Sequence, residues 1–183
     1  MHFRGNDMKK IIVMVACMLI WGGQALAVQT CLTTITASTP TADFIDYGNG
    51  TVRHTKTGLM WKQCSEGLSG AGCAIGAATP YTWQGALQAA QTLDAGGGFA
   101  GFTDWRVPNI KELHSIVEVQ CGLPAINATI FPATVSNSYW QASPYAGFAP
   151  NAWSVHFGDG SDNNSYLSIK SNTYYVRLVR GGL

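Results

Sequence analysis

Residues 101–113 (GFTDWRVPNIKEL) constrain the fold most, because they combine a loop, a helix start and an adjacent tryptophan and arginine. Asn109 can accept a hydrogen bond from the amide of Glu112, and the Glu112 carboxylate can reach back to the amide of Asn109. Pro108 restricts the backbone just ahead of this cap. The sequence therefore predicts a helix that begins at Asn109 and carries Glu118 on its polar side. Its apolar side is formed by Ile110, Leu113, Ile116 and Val117.

The pair Trp105 and Arg106 stands directly before this helix start. It can be interpreted as part of an acid/base or anion site with Glu112, or as structural, with the tryptophan in the core and the arginine bound to carbonyls and Glu112. We expect the structural role. The same role is expected for Trp61, Trp83, Trp153, Arg177 and Arg180.

Residues 1–27 have the pattern of an export signal peptide. Lys9 and Lys10 precede an apolar stretch over residues 11–21, and Ala25-Leu-Ala27 is a small-x-small cleavage site. The apolar stretch is about half of the ~20 residues that span a bilayer, so no membrane span is expected. Cys17 leaves lipid attachment as an alternative. We therefore expect an exported protein that is periplasmic, cell-surface or secreted.

Cleavage after residue 27 would leave an even number of cysteines, since Cys17 is the only one of five before that point. An even count in an exported chain favours disulfides. The local pair Cys64–Cys73 closes a loop rich in serine and glycine, which leaves Cys31–Cys121 as the second pair. Free buried thiols are the alternative interpretation. A zinc site is less favoured because there is no Cys-x-x-Cys.

The charge balance limits the possible partners. Residues 1–27 contain three of the 11 Lys and Arg and one of the 10 Asp and Glu, which leaves eight against nine. Nucleic acids and other polyanions require clustered basic residues, so we expect no nucleic-acid partner.

The pattern of apolar residues predicts a single α+β domain over residues 43–183, preceded by a linker over residues 28–42. Strands with a hairpin turn are predicted at 51–54 and 59–62. A helix capped by Thr82 is predicted to stop at Gly96. Three C-terminal strands are predicted at 153–157, 165–169 and 174–180, the first with Trp153, Val155 and Phe157 on one face.

The long irregular stretch 121–151 is the predicted binding surface, because long irregular segments in compact domains are usually functional. Exposed aromatic side chains there could stack on sugar rings or contact a protein. The candidate ligand-binding residues are Tyr139, Tyr145, Phe148 and Asn151.

A second cluster of polar residues offers weak calcium candidates in the loop after residue 158. Its oxygen ligands would be Asp159, Asp162, Asn163 and Asn164. The loop lacks the twelve-residue calcium pattern and a closing glutamate, so a plain turn is the preferred interpretation. No other cofactor is expected. The histidines are dispersed and there is no Gly-x-Ser-x-Gly, so no catalytic residue is predicted.

Several short motifs together resemble the DUF1566 family, the C-terminal domain type of bacterial collagen-like adhesins. They run in order along residues 43–183: TV at 51, TGLMW at 57, TWQ at 82, residues 101–113, PAIN at 124, FP at 131, YW at 139 and VRLVR at 176.

This resemblance implies a C-type lectin-like fold of the variant shared with formylglycine-generating enzymes, with two helices packed against antiparallel sheet and a long irregular loop region. The chain lacks the late cysteines of those enzymes, since none follows Cys121, and it lacks the sugar-chelating triplets of calcium-dependent lectins. The expected function is a non-catalytic recognition or adhesion module for a glycan or a cell-surface or extracellular protein. The alternatives are a periplasmic enzyme or enzyme accessory, and a structural subunit that self-associates.

Overall fold

A computed structural model describes residues 29–158 and 165–181 of the 183-residue chain. These ranges form a mixed α and β fold in which most regular structure is short antiparallel strand. The elements are β1 Thr30–Cys31, β2 Phe44–Asp46, β3 Thr51–His54, β4 Met60–Lys62, β5 Leu68–Ser69, β6 Ile75–Gly76, α1 Trp83–Ala95, α2 Ile110–His114, β7 Cys121–Gly122, β8 Ser138–Pro144, β9 Asn151–His156, β10 Ser165–Ile169 and β11 Val179–Arg180.

The strands form two main sheets and two short ribbons. One sheet has the order β11-β4-β3-β2, the other has the order β10-β9-β8, and the ribbons are β1-β7 and β5-β6. The last strand is therefore antiparallel to β4 in the N-terminal sheet. It is also shorter than the predicted 174–180, because Tyr174 and Tyr175 make only isolated bridges, to Tyr81 and Tyr139.

The hairpin predicted from the N-terminal pattern is confirmed. β3 and β4 pair with Val52 opposite Trp61. Gly58 lies in the turn with a φ of 72°, a left-handed conformation that glycine adopts without steric cost, and its amide donates to His54 O at 2.8 Å. Trp61, which belongs to β4 of this hairpin, is fully buried.

Both helix caps also agree with the local sequence. The Thr82 hydroxyl accepts from the amide of Gly85 at 3.1 Å, and α1 ends at Ala95 before the glycine run. In α2 the Asn109 side chain accepts from Glu112 N at 3.0 Å, and Asn109 N donates to the Glu112 carboxylate at 2.8 Å. This is the predicted capping box.

The second helix is shorter than its apolar pattern predicts. It ends at His114, and Ile116 and Val117 reach the core from the turn that follows it. Glu118, expected to face solvent or polar partners, is buried and does have polar partners. The prediction that the helix continues through this pattern was wrong because the backbone tightens after His114 into turns in which Ile116 N donates to Leu113 O and Val117 N donates to His114 O.

The Glu118 carboxylate holds the N-terminal segment on the domain. Its oxygens accept hydrogen bonds from the backbone amides of Ser38 at 2.9 Å, Thr39 at 2.8 Å and Gln120 at 2.9 Å. The hydroxyls of Ser38 and Thr39 add two more, at 3.1 and 2.9 Å. The segment that the sequence indicates as a linker is thus attached to a point about 80 residues further along the chain.

Glu118→Gln is expected to destabilise the protein by about 1–3 kcal/mol near neutral pH, because charge-assisted hydrogen bonds are the stronger ones. Burial alone would raise the pKa of Glu118, but the bonds from Gln120, Ser38 and Thr39 outweigh it and lower the pKa below its usual value of 4.5. The stabilisation is then full above that value and is lost as the pH falls through the lower pKa of the folded state. Urea unfolding measured across pH checks this; a gap between the two proteins that stays constant into acid would contradict it.

Two apolar clusters form the core. The first joins the β3-β4 hairpin to α2 and β9, and the second joins α1 to β8 and the C-terminal segment. Trp105 and Trp140 are buried in the second cluster. Trp153, expected to be structural, is only half-buried, and Trp83 is also half-buried, with its indole N–H donating to Gln141 O at 2.8 Å.

Both disulfides have the pairing that the cysteine pattern favours. Cys31–Cys121 joins β1 to β7, and Cys64–Cys73 closes the loop that contains β5. In the part of the chain that the structure describes, no helix has the length and apolar character needed to cross a membrane. Two disulfides are consistent with an exported protein.

Candidate functional site

The aromatic residue Tyr139 is not a surface residue. It is fully buried, its hydroxyl lies 2.9 Å from Ser65 Oγ, and it accepts a hydrogen bond from Val135 N at 3.0 Å. Its ring contacts Phe157 edge-on, with centroids 5.1 Å apart. The prediction that Tyr139 binds ligand is therefore corrected, because a side chain inside the core cannot reach one.

About a third of the predicted binding stretch, 11 of the 31 residues 121–151, is also buried. Ala125, Ile126, Ile130 and Phe131 are buried, and the segment continues into β8. Its irregular appearance in the sequence arises because it covers the core without regular periodicity. The longest exposed run of the stretch, residues 146–150, lies in the connection between β8 and β9.

Tyr145, Phe148 and Asn151 do come together in that connection. Tyr145 N donates to Asn151 O at 3.0 Å, Phe148 N to Tyr145 O at 3.3 Å and Asn151 N to Phe148 O at 3.0 Å. Phe148 is 58% exposed, whereas Tyr145 and Asn151 are half-buried. The Tyr145 ring contacts Trp153 edge-on at 5.7 Å. The turn is thus closed by its own backbone and presents aromatic side chains.

The neighbouring strands continue this apolar surface. Leu167 lies opposite Trp153 and Ile169 lies opposite Asn151, so all four side chains share one face of the sheet. Leu167 is 43% exposed and Ile169 is 53% exposed. We call this surface the open sheet face. Its residues are Tyr145, Trp153, Leu167 and Ile169, and Phe148 lies in the adjoining turn.

The same face is covered further along β9, where Val155 is buried with Leu113 of α2. Trp153 lies two residues from Val155 and hence on the same side. Helix α2 packs on β8 and β9 but leaves the β10 side chains Leu167 and Ile169 exposed. The open sheet face is therefore the uncovered end of a core-forming face.

A second surface feature is a cleft of about 800 Å³ between the turn after β2, the end of β4 and the disulfide loop. We call it the glycine-rich cleft. Its lining includes Asp46, Asn49, Gln63, Ser69 and Thr129 as polar residues, with Leu68, Phe99 and Pro132 as apolar ones. The sequence did not predict this cleft; the only local signal was the density of glycines near residues 48–50 and 67–72.

Lys62, which lines this cleft, is paired with Glu66. Lys62 Nζ lies 2.6 Å from Glu66 Oε1, and both side chains are largely buried. The same ammonium lies 4.8 Å from the centroid of the Phe99 ring, a cation–π contact. Little cationic character therefore remains for an anionic ligand.

Arg177 is fully buried below the end of β4 and holds its backbone in place. It donates to the carbonyls of Lys62, at 3.1 Å, and of Gln63. Its other terminal nitrogen donates to Ser65 Oγ at 3.2 Å and to Thr134 Oγ1 at 2.7 Å. Burial lowers its pKa to about 10, so the group stays charged near neutral pH. This is the carbonyl-binding role expected of the arginines.

Arg106 and Arg180 are each paired with a carboxylate. Arg106 makes two 2.7 Å hydrogen bonds to Glu112. Burial opposes ionisation of Glu112, but the bonds from Arg106 and Asn109 outweigh it and lower its pKa. Arg180 donates to Asp104 at 2.7 Å, which lowers the pKa of that carboxyl, and lies over the Phe102 ring. Both guanidinium groups are therefore already paired with a carboxylate of the same protein.

No group of three or more His, Cys, Asp and Glu side chains within the described ranges is placed to hold a metal ion. The calcium candidates Asp159, Asp162, Asn163 and Asn164 lie outside those ranges. His54 is buried against Phe44, their rings stacked at 4.6 Å, and burial lowers its pKa.

Sequence reasoning missed Leu167 and Ile169 as candidate binding residues. Their spacing of two in a predicted strand places them on one face, which was a usable signal. Only the structure shows that this face is left uncovered.

The comparison with curated proteins finds no match. The comparison with family models finds one for the Lcl C-terminal domain, which matches residues 50–180 and so covers more than half of the chain, from the turn before β3 to the end of β11. This range includes the glycine-rich cleft almost entirely and the whole open sheet face. The chain therefore belongs to the Lcl C-terminal domain family.

Proposed function

We propose that this protein is an exported, non-catalytic recognition or adhesion module that binds another protein through the open sheet face. The Lcl C-terminal domain suggests an extracellular or surface-associated domain, and the two disulfides fit such a location. The DUF1566 resemblance and a C-type lectin-like arrangement of the two helices and antiparallel sheets belong to the same proposal.

The observation that carries the proposal is the exposure of large apolar side chains on one continuous surface. Leu167 and Ile169 are each more than 40% exposed, next to half-buried Tyr145 and Trp153, and exposed Phe148 lies in the adjoining turn. Exposed apolar residues scattered singly are ordinary, but a contiguous group marks an interaction site. Burying such a group provides the hydrophobic centre of an interface.

The aromatic rings of the face could contact a glycan or a protein, and its aliphatic part together with the edge of β10 favours a protein. Leu167 and Ile169 are branched aliphatic side chains, which supply apolar area but neither a flat ring for sugar stacking nor a hydrogen-bonding group. Strand β10 is also at the edge of its three-stranded sheet, paired on one side with β9. Such an edge can accept a further strand through main-chain hydrogen bonds. The partner is thus a protein that presents an apolar strand or face.

A binding screen with matched surface variants tests the proposal. The double variant Leu167→Ser/Ile169→Ser removes the aliphatic part of the face, and Ile75→Ser removes an isoleucine that is 64% exposed and lies two residues after the disulfide loop. We expect binding to an array of immobilised exported and cell-surface proteins to fall at least about ten-fold in the double variant, as for loss of interface anchors. The Ile75→Ser control should bind as the wild type does, and all three should melt at similar temperatures.

Other outcomes assign the surface differently. Binding to a glycan array but to no protein would overturn the choice of partner. A sedimenting particle larger than one chain, lost in the double variant, would show that the partner is a second copy and support the self-association alternative. Protein binding that the double variant leaves unchanged would reject the open sheet face.

A further inference from the structure

The turn between β2 and β3 contains the dipeptide Asn49-Gly50, and no other asparagine in the chain stands directly before a glycine. An asparagine in this position is chemically special. The backbone nitrogen of the next residue can approach the side-chain carbonyl carbon most easily when that residue has no Cβ to block it. The turn lines the glycine-rich cleft, which shares no residue with the open sheet face.

The Gly50 nitrogen is free to act as a nucleophile. Within residues 29–158 and 165–181 its N–H donates no hydrogen bond, whereas the Gly50 carbonyl accepts from Gln63 N at 2.9 Å. The residue has a φ of 83°, which glycine adopts without steric cost. The carbonyl of Gly50 is therefore held in place while its nitrogen has no partner to lose when it forms a new bond.

The side-chain carbonyl of Asn49 is held and polarised by Thr51. Its Oδ1 accepts a hydrogen bond from Thr51 N at 3.1 Å and another from Thr51 Oγ1 at 2.6 Å. Both donors turn the side chain toward the peptide that follows it. When a nucleophile adds to the carbonyl carbon, negative charge develops on Oδ1, where these donors already point. Donors aligned in advance in this way stabilise an oxyanion.

The surroundings give solvent access on one side only. Asn49 is exposed and lines the cleft, so a small leaving group can depart and water can enter. Thr51 is fully buried, so its hydroxyl and amide are kept in position by the core. The reacting side chain is thus open to water while the two donors that polarise it are fixed.

We propose that Asn49 is a site of self-modification, at which the Gly50 nitrogen closes a five-membered ring on the Asn49 side chain. The bond from Gly50 N to Cγ forms, the bond from Cγ to Nδ2 breaks, and the proton of the Gly50 N–H leaves with Nδ2 as ammonia. Water then opens the cyclic imide. Addition at Cγ gives an aspartate, and addition at the backbone carbonyl gives an isoaspartate. Either product adds a carboxylate beside Asp46 to the lining of the cleft.

A time course on the folded, disulfide-bonded protein tests the proposal. The protein is kept in a mildly alkaline buffer, and peptide mass spectrometry locates aspartate and isoaspartate at each asparagine. Asn172 is the internal control, because it is also exposed but precedes the β-branched Thr173, which crowds the attacking nitrogen. We expect isoaspartate to accumulate at position 49 while Asn172 stays unchanged. Isoaspartate is diagnostic, since direct hydrolysis of the side-chain amide gives aspartate alone.

Two substitutions test the donors. Thr51→Val removes the hydroxyl and should slow the modification of Asn49 at least about ten-fold, a conservative value for loss of one oxyanion donor, whereas Thr51→Ser keeps the hydroxyl and should stay within about two-fold of the wild type. If Thr51→Val does not fold, the urea-unfolded wild type lacks the same bonds and should be modified more slowly than the folded protein.

Four results would overturn the proposal. They are aspartate without isoaspartate at position 49, no modification there, equal modification of Asn172, and a rate in Thr51→Val or in the unfolded chain that matches or exceeds that of the folded wild type.

Discussion

Replacing Trp105 with alanine is expected to lower the free energy of unfolding by about 3–5 kcal/mol, the usual range for a buried tryptophan. Only 2% of the residue is exposed. Its indole N–H donates to Phe99 O at 3.0 Å, and its backbone amide donates to the Asp94 carboxylate at 3.0 Å. Alanine would leave a cavity beside α1, and Phe99 O would keep only its hydrogen bond from Phe102 N at 3.0 Å. Urea unfolding followed by far-UV circular dichroism measures the loss.

Two variants separate the contributions at this position. Trp105→Phe keeps most of the apolar volume but loses the hydrogen bond to Phe99 O, so it should cost clearly less than alanine. Arg106→Ala changes the neighbouring residue, whose side chain is 44% exposed, and should cost about 0–1 kcal/mol as for other surface ion pairs. A Trp105→Ala protein that unfolds like the wild type but has lost binding would show that Trp105 is functional.

Arg177→Met is expected to destabilise the protein by about 3–5 kcal/mol, as for loss of one partner from a buried polar network. The methionine fills part of the volume but leaves the Lys62 and Gln63 carbonyls and the Thr134 hydroxyl without their donor. The guanidinium also lies 4.8 Å from the centroid of the Phe131 ring, a contact that is lost as well. Equilibrium unfolding in urea near neutral pH measures the change.

The effect should depend on the shape of the guanidinium and not on charge alone. Arg177→Lys keeps a cation but cannot donate from a planar fork to several acceptors, so it should remain strongly destabilised. Arg53→Met, on the exposed side of β3, serves as the matched control and should stay within about 0.5 kcal/mol of the wild type. Wild-type stability in Arg177→Met would contradict the assigned role.

The candidate site was only partly predictable from the sequence. Tyr145 and Phe148 were expected to bind a ligand, and they do lie on a surface turn, because the polar and glycine-containing segment around them favours a loop. Tyr139 was expected on the same surface but is core, since its burial depends on Phe157 and Tyr175, which follow it by 18 and 36 residues. An aromatic residue in an irregular segment has the same local pattern in either case.

Local sequence determined the caps at Thr82 and Asn109, the turn at Gly58 and the loop between Cys64 and Cys73. In each of these the interacting groups are within ten residues of one another, so a short pattern contains both partners. The physical contacts are hydrogen bonds or a covalent bond whose geometry the nearby backbone already imposes.

Only the tertiary structure decided the placement of β11 beside β4, the attachment of Ser38 and Thr39 to Glu118, and the buried cation of Arg177. Their partners are separated by about 80 to 120 residues. The same is true of the open sheet face and the glycine-rich cleft, because each exists only where packing leaves a surface uncovered or a space unfilled. Exposure is a property of all the neighbours of a side chain, and most of those neighbours are distant in the sequence.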